Sequence, residues 1–298
     1  MRQTIRPPFV ERVSAYVALT KPRIIELLLV TTVPTMIVAD RGLPSLWLMA
    51  ATVIGGSLAA GGANAFNMYV DRDIDALMER TKSRPLVTGV IEPPQALAFA
   101  SILEVVAFFW LWGWVNFTSA ALAVAACLFY VFVYTLWLKR TSTHNIVIGG
   151  AAGAVPVLIG WTAVTNSLSW VAILLFAIIF CWTPPHFWAL AIKYKEDYCR
   201  AEVPMLPSVA DFRTAANRIV GYTILVWSLT IVLTPVAGMG YLYTGSAVVL
   251  GGVFSYLALR LRRQESAVAA MRVFSFSITY IVLLFGAMAA DRLLQYGL

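Results

Sequence analysis

Nine long apolar stretches constrain the fold of this chain more than any other feature of its sequence. They cover approximately residues 24–40, 45–67, 95–114, 118–138, 145–165, 168–192, 216–236, 241–259 and 273–290. A helix needs roughly 20 mostly apolar residues to cross a bilayer. Hydrophobic residues make up 60% of the chain and charged residues only 12%, which excludes an ordinary soluble domain. The sequence therefore predicts an all-α polytopic membrane protein with about nine transmembrane helices.

Lys and Arg residues predict the orientation, because short basic loops stay on the cytoplasmic side. Nine spans preceded by a cytoplasmic N-terminal segment, 1–23, place all but two of the 22 Lys and Arg residues inside, the exceptions being Arg41 and Arg292. The C-terminus is then outside, and a bacterial inner membrane is the predicted location. Because this topology accounts for the net charge of +7, no nucleic-acid partner is predicted.

Two polar connections, at about 68–94 and 193–215, are the longest on the predicted cytoplasmic side. Each connection follows an even-numbered span, the second or the sixth. A basic patch precedes the first and the fifth spans, which are the odd-numbered spans just before these two. The patches are Lys21 with Arg23, and Lys139 with Arg140. This spacing predicts a four-helix unit used twice, followed by a ninth helix, within a single domain over residues 1–298. We expect the two long connections to carry the function.

The connection after the second span contains three oxygen donors at four-residue spacing, Asn67, Asp71 and Asp75. If the helix continues past the membrane edge, four residues rise about 6 Å and turn through about 400°, so the three side chains share one face. Mg²⁺ prefers oxygen and is usually held by one or two carboxylates together with substrate phosphates. The motif therefore predicts a magnesium site for a bound diphosphate. Asp73 points to the other side of such a helix.

Basic residues that can bind phosphate oxygens follow this motif. Arg80, Lys82 and Arg84 come directly after it, and Arg can offer two parallel N–H donors. Together with the two basic patches they form the predicted diphosphate-binding group, which is Lys21, Arg23, Arg80, Lys82, Arg84, Lys139 and Arg140. The alternative is a connection that is charged only because it is solvated, and this applies best to Asp73 and Glu79.

The sixth predicted span ends in a second polar set. His186, Lys193 and Asp197 are separated by seven and four residues and so roughly share one helix face. Pro184 and Pro185 each remove a backbone donor, which predicts a kink or break in the helix. Because polar groups within a span are costly and often mark a site, His186 is interpreted as a contact to the acceptor substrate or a proton carrier. The alternative is a hydrogen-bonded packing histidine.

At these residues the chain resembles the intramembrane prenyltransferases that use an N-x-x-x-D-x-x-x-D motif, a family that includes the 4-hydroxybenzoate polyprenyltransferases. Within the family it is most similar to the branch that farnesylates haem. The segments that carry this resemblance are Leu19–Arg23, Asn67–Leu86, Asn145–Gly150, Trp182–Ala191 and Val203–Pro207.

The resemblance implies transfer of a farnesyl group from farnesyl diphosphate to a vinyl group of haem B, with addition of water, which gives haem O for terminal oxidases. The implied cofactor is Mg²⁺, haem B is the acceptor substrate, and the enzyme works within the lipid bilayer. Haem A synthase and a terminal oxidase are the physical partners that this function suggests.

The resemblance also implies roles for single residues. The metal ligands are Asn67, Asp71 and Asp75, and the remaining members of the catalytic set are His186, Lys193 and Asp197. The wider family usually has a second D-x-x-x-D motif, but Lys193 stands here in its first acidic position. An ammonium group neutralises diphosphate and cannot bind a cation, so this departure predicts one metal site and a basic clamp.

Three other functions fit parts of the sequence. A related prenyltransferase that acts on an aromatic quinone precursor would share the diphosphate motif, but the segment Thr183–Trp188 and Lys193 argue against it. A secondary transporter would also have repeats and charged residues at membrane depth, although its site belongs near the midplane. A haem transporter or assembly factor without catalysis would have little use for three aligned metal ligands.

Overall fold

The computed structural model of the protein describes residues 8–297, and in this range all regular secondary structure is helical. A π-helix, Phe129–Leu138, separates α7 from α8. In chain order the helices are α1 (Phe9–Thr20), α2 (Pro22–Asp40), α3 (Leu46–Val70), α4 (Arg72–Leu77), α5 (Pro85–Thr88), α6 (Pro93–Trp114), α7 (Phe117–Leu128), α8 (Lys139–Thr141), α9 (Asn145–Thr165), α10 (Trp170–Lys193), α11 (Lys195–Arg200), α12 (Leu206–Val209), α13 (Phe212–Ala237), α14 (Tyr241–Gln264) and α15 (Ala267–Tyr296).

Eight of the described helices are long and apolar enough to cross a membrane. They are α3, α6, the continuous segment Phe117–Thr141, α9, α10, α13, α14 and α15. The first predicted span corresponds to α2, in which the shorter segment Val30–Asp40 is apolar. The prediction of an all-α polytopic membrane protein is confirmed.

The spans pack against one another in chain order, and the last span returns to contact the first. Each contacts the next one along the chain, and α15 contacts α2. Further contacts join α2 to α9 and α10 to α15, so helices from the two halves of the chain share one interface. This packing brings the ends of α3 and α10, which precede the two long connections, to the same side of the bundle.

The order of helices supports the predicted pseudo-repeat. In α2–α7, two spans are followed by two short helices and then by two more spans. The same order recurs in α9–α14, where α11 and α12 take the places of α4 and α5. Helix α15 follows as the ninth.

Several boundaries differ from the sequence-based prediction. Both long connections contain short helices, and the second ends earlier than predicted because α13 begins at Phe212. The N-terminal segment contains α1, which packs Ala15 and Leu19 against α3 and the start of α5. The opposite face of α1 is apolar and exposed, and consists of Phe9, Val10, Val13 and Val17. An exposed apolar helix face of this kind is suited to contact with the membrane interface.

The two prolines do not break the sixth span, so the break that the sequence allowed is absent. Helix α10 continues through Pro184 and Pro185, both of which are buried. Thr183 donates its hydroxyl to the carbonyl of Ile179 at 2.9 Å, which supplies a side-chain hydrogen bond in this turn. A Cβ atom on Gly150 of α9 would lie 3.0 Å from the Thr183 side chain. Close packing of neighbouring helices therefore holds the proline-containing turn, as is common in membrane proteins.

Asp291 and Arg292 form a buried group at the other end of the bundle, where α13, α14 and α15 meet. Asp291 accepts the backbone N–H groups of Gly240 at 2.6 Å and of Tyr243 at 3.2 Å, at the start of α14. Arg292 donates to the carbonyls of Ala237 and Gly238, at the end of α13. Arg292 is one of the two basic residues that the predicted topology places on the outer side, and these contacts explain its position.

Exposed aromatic side chains mark the same end of the bundle. They lie at the first or last turns of spans α3, α6, α10 and α14 and at the start of α7, and they are Trp47, Trp114, Phe117, Trp170 and Tyr241. Aromatic residues concentrate in this way at the boundary between lipid and water.

Candidate active site

Asn67, Asp71 and Asp75, here called the Asn–Asp–Asp set, lie together and are buried. Helix α3 ends at Val70 and α4 begins at Arg72, but the backbone bonds from Asp71 to Asn67 and from Asp75 to Asp71 keep helical spacing through the junction. The Asn67 side-chain amide donates to Asp71 Oδ2 at 2.7 Å. The prediction that these three side chains share a face agrees with this geometry.

Three basic side chains, here called the basic group, contact the three members of the Asn–Asp–Asp set. Lys21 donates to Asn67 Oδ1 at 2.8 Å, and Arg84 Nη1 lies 2.5 Å from Asp75 Oδ2. Lys139 forms an ion pair with Asp71 Oδ2. The basic group comes from three separate parts of the chain, which are the α1–α2 junction, the first long connection and α8. Two carboxylates are thus surrounded by three cations, and a diphosphate would find excess positive charge here.

Lys21 occupies an unusual position between α1 and α2. Its backbone is left-handed, with φ of 53°, so that α1 ends and α2 begins at this residue. The amide of Asn64 in α3 donates to the carbonyl of Thr20 at 3.0 Å and holds the same junction. Burial lowers the pKa of Lys21 to about 7, and the neighbouring positive charges of Arg84 and Lys139 act in the same direction.

The π-helix places a further polar group against the Asn–Asp–Asp set. Thr135 donates its hydroxyl to the carbonyl of Tyr130, five residues earlier, and accepts from the Asn67 amide at 3.1 Å. The rings of Tyr130 and Tyr134 stack with centroids 5.3 Å apart. Tyr134 packs so closely on Gly149 of α9 that any Cβ atom there would clash. Single π-helical turns are often found at functional sites.

Asp73 and Arg140 form a separate, exposed pair. Both Oδ atoms of Asp73 lie 2.7 Å from the Arg140 guanidinium, and these hydrogen bonds lower the pKa of Asp73 to about 2. Arg140 Nη2 is also 3.9 Å from Asp71 Oδ1. Asp73 thus points away from the Asn–Asp–Asp set, as expected, while Arg140 lies between that set and solvent.

Asp197 joins the two long connections. It is buried in α11, and its Oδ2 accepts the backbone N–H of Arg80 at 3.2 Å. The Arg80 guanidinium lies over the ring of Tyr194, 5.8 Å from its centroid. The two long connections therefore contact each other through Asp197.

Other predicted site residues lie elsewhere. Lys193 is exposed, contacts the ring of Tyr194, and lines an open groove with α14 and α15. It has no ion pair among the described residues and lies apart from the basic group, so its role as a basic clamp stays a prediction. Lys82 is exposed and pairs with Glu79. The Arg23 side chain lies outside the described part of the chain.

His186 is buried, in contrast to the exposed Lys193, and it lies against the same helix, α15. Its ring faces α15, where Nδ1 is 2.7 Å from the hydroxyl of Ser277. The helix therefore directs His186 to a second polar position within the bundle. Sequence spacing alone did not indicate Ser277, since a serine in a membrane span is common.

The donor atoms fit a magnesium ion that is shared with a substrate. Among the residues described, no three His, Cys, Asp or Glu side chains are arranged to hold a metal by themselves. Asp71 Oδ1 is nevertheless buried without a hydrogen-bond donor, an arrangement that is costly for a carboxylate oxygen. Two carboxylates with an amide oxygen suit Mg²⁺, which retains water and binds substrate phosphates.

The fold and this site define a polytopic membrane protein that combines oxygen ligands with basic side chains at one end of its helices. The sequence profile described as the UbiA prenyltransferase family matches residues 28–284. The chain therefore belongs to the UbiA prenyltransferase family, and it is a prenyltransferase enzyme.

Curated relatives match over almost their whole length. The chain is 54% identical over 288 residues to a protoheme IX farnesyltransferase of Parafrankia sp. (strain EAN1pec), covering 95% of this chain and 92% of the relative. It is 51% identical to the protoheme IX farnesyltransferase of Streptomyces avermitilis, covering 97% and 96% of the two chains.

Solved structures share the fold at low sequence identity. A digeranylgeranylglyceryl phosphate synthase aligns with a TM-score of 0.77 at 17% identity, covering 95% of this chain and 99% of the other. A UbiA homolog from Archaeoglobus fulgidus, bound to DMAPP and Mg²⁺, aligns with a TM-score of 0.65 at 14% identity, covering 92% and 98%.

Proposed function

We propose that this enzyme transfers a farnesyl group from farnesyl diphosphate to a vinyl group of haem B, with addition of water, to form haem O. The observation that carries this proposal is the buried Asn–Asp–Asp set enclosed by the basic group. Two relatives that match over almost their whole length, at 54% and 51% identity, are protoheme IX farnesyltransferases. This similarity favours haem over an aromatic quinone precursor as the acceptor.

The Asn–Asp–Asp set would hold Mg²⁺ together with the diphosphate. When bound there, the metal stabilises negative charge on the departing diphosphate. Asp71 Oδ1, which has no hydrogen-bond donor, is the first ligand in this assignment, and Asp75 is the second. Magnesium dependence is supported by a structural neighbour of the same family that binds DMAPP and Mg²⁺.

The basic group would change partners when the substrate binds. Lys21, Arg84 and Lys139 each contact an oxygen of the Asn–Asp–Asp set. If the set held Mg²⁺, its oxygens would no longer need these three side chains as partners, and the basic group would be available to the diphosphate. Their N–H donors then stabilise the charge that develops as the allylic C–O bond breaks.

The proposed reaction breaks the allylic C–O bond, forms a C–C bond and adds water. The allylic C–O bond breaks and its electron pair leaves with the diphosphate. The π electrons of the haem vinyl group form the new C–C bond to the farnesyl carbon. The cation left next to the porphyrin ring is captured by water, which loses a proton and leaves a hydroxyl group. These are the steps that the family resemblance implies.

The membrane arrangement is part of the same proposal. We place the Asn–Asp–Asp set and the segment before α2 on the cytoplasmic side of a bacterial inner membrane, with the C-terminus outside, because the basic residues concentrate at that end. A haem A synthase or a terminal oxidase as a physical partner stays a prediction.

The test is conversion of haem B by the purified protein in liposomes, with farnesyl diphosphate and with or without Mg²⁺. Chromatography and mass spectrometry should detect a farnesylated, hydrated haem only when Mg²⁺ is present, and Asp71→Ala should abolish it. Lys195→Ala is the matched control, since Lys195 is an exposed cation on the same side. Turnover of a hydroxybenzoate acceptor without any haem product would instead identify a related aromatic prenyltransferase.

A further inference from the structure

His186 is held rigidly between two aromatic rings. Its ring stacks on Trp182 of the preceding turn, with centroids 4.4 Å apart and planes 20° apart. Phe274 of α15 stacks at 4.6 Å and 27°. The side chain is 7% exposed. Both ring faces are covered, so only the ring edges can meet another group.

The hydrogen bonds around His186 define its protonation. Ser277 donates its hydroxyl proton to the carbonyl of Phe274 at 2.6 Å. A hydroxyl has one proton, so the Ser277 oxygen must accept in its 2.7 Å contact with His186 Nδ1. Nδ1 therefore carries the ring proton, and Nε2 carries a lone pair. Trp182 Nε1 donates to the carbonyl of Ser277 at 2.9 Å and fixes the same turn of α15.

The second nitrogen of His186 has no such partner. Nε2 makes no hydrogen bond to any of the residues that the structure describes. It is not among the fully enclosed, unpartnered polar atoms of the described residues, so this edge of the ring is accessible to a ligand. The imidazole thus presents one unpaired lone pair in a fixed direction.

We infer that Nε2 of His186 binds the iron of the haem substrate, an inference that rests on the proposed function. A neutral imidazole whose Nδ1–H is hydrogen-bonded is the usual form of a metal-binding histidine, because that bond fixes the tautomer and orients the ring. Histidine is a common axial ligand of haem iron. Ser277 and Phe274 are positioning residues, and the iron bond fixes the plane of the porphyrin relative to α10.

The chain has only two histidines, which makes a clean experiment possible. His144 is exposed at the start of α9 and is the matched control. The full chain, purified with a tag that lacks histidine, is titrated with ferric haem B in nanodiscs and followed by absorption and electron paramagnetic resonance. Wild type and His144→Ala should show the same histidine-ligated iron. His186→Ala should lose that signature, and added imidazole should restore it.

Two further variants keep the test decisive if His186→Ala folds poorly. His186→Gln preserves side-chain size and should bind haem without the histidine signature. Ser277→Ala should keep histidine ligation but lower the iron–histidine stretching frequency of the ferrous protein, since Nδ1–H loses its acceptor. A merely structural role for Ser277 would leave that frequency unchanged.

The outcomes separate this inference from the proposed function. If wild type converts haem B but the histidine signature is absent from it or persists in His186→Gln, the iron ligand is wrong and the enzyme assignment stands. If wild type neither binds haem nor forms a farnesylated product, both fail. Loss of the signature in both His186 variants, with retention in His144→Ala, supports the inference.

Discussion

Buried charged groups lie at both ends of the helix bundle, and they use their hydrogen-bonding capacity differently. At the end with the aromatic side chains, Asp291 and Arg292 bond mainly to backbone N–H and carbonyl groups of α13 and α14. At the other end, the Asn–Asp–Asp set bonds to side chains of the basic group, and Asp71 Oδ1 has no hydrogen-bond donor. Asp291 and Arg292 therefore cap helix ends, whereas the Asn–Asp–Asp set can exchange its hydrogen-bond partners.

This difference separates a structural buried charge from a functional one. Backbone groups cannot leave a helix end without unfolding it, so Asp291 is committed to a single arrangement. A lysine or arginine side chain can turn from a carboxylate to a phosphate at little cost to the fold. The comparison predicts that substitutions at the first group reduce stability, while substitutions at the second reduce activity.

The largest effect is expected for Asp71→Asn. The change removes the charge of a proposed metal ligand and should lower kcat by about 10³-fold, because the departing diphosphate loses its main electrostatic support. The unfolding temperature in detergent should change less than with a substitution at Asp291, since the remaining side-chain oxygen can still accept a hydrogen bond from Lys139. Turnover with farnesyl diphosphate and haem B measures the first quantity. A large fall in unfolding temperature with little loss of turnover would remove the distinction between the two ends.

Arg84→Gln should have the next largest effect. It leaves the buried carboxylate of Asp75 without its cation and removes a donor to diphosphate, so we expect about a 10²-fold loss of kcat/KM for farnesyl diphosphate. Arg84→Lys should recover part of this loss because the positive charge remains while the planar fork is lost. Equal activity of the two variants would show that positive charge alone does not restore function and that the planar guanidinium is required at this position.

Asp291→Ala tests the opposite end. Two backbone N–H groups at the start of α14 lose their acceptor, which should lower the free energy of unfolding by about 2–4 kcal/mol. Turnover per folded molecule should stay within about twofold of wild type at a permissive temperature, because Asp291 lies far along α15 from the basic end. Thermal unfolding and turnover are measured on the same preparation, and a selective loss of turnover would contradict the comparison.

Lys82→Ala is expected to have the smallest effect. Lys82 is exposed and pairs with Glu79, and surface ion pairs contribute about 0–1 kcal/mol. We expect less than about a threefold change in KM for farnesyl diphosphate, decreasing further with added salt as the interaction is screened. A loss comparable to that of Arg84→Gln would show that the connection closes on the substrate and brings Lys82 into contact.

Much of the fold and of the site could be predicted from spacing and hydropathy. Apolar length defined the spans, and the four-residue spacing defined the Asn–Asp–Asp set because helical geometry follows from separation along the chain. Lys21 and Lys139 were predicted as diphosphate ligands from their place before odd-numbered spans. Both contact the set, and their binding to diphosphate stays a prediction.

Features that depend on tertiary packing could not be predicted. The π-helix that brings Thr135 to Asn67 has no signature in its apolar sequence, and the uninterrupted course of α10 depends on contacts with neighbouring helices. Lys193 occupies the position of a family acid, but the helix directs it to the outer groove. Similarly, Asp291 could not be recognised as a cap, because its partners lie about 50 residues away along the chain.

Helix α1 connects an exposed apolar surface to the Asn–Asp–Asp set. One face of α1 is apolar and exposed, and its last residue, Thr20, is bonded to α3, while the next residue, Lys21, reaches Asn67. Because both contacts lie at the end of α1, we expect lateral pressure among lipid headgroups to change the position of Asn67. We expect lipid packing and bilayer curvature to change the rate, so that the same protein works at different speeds in micelles and in vesicles.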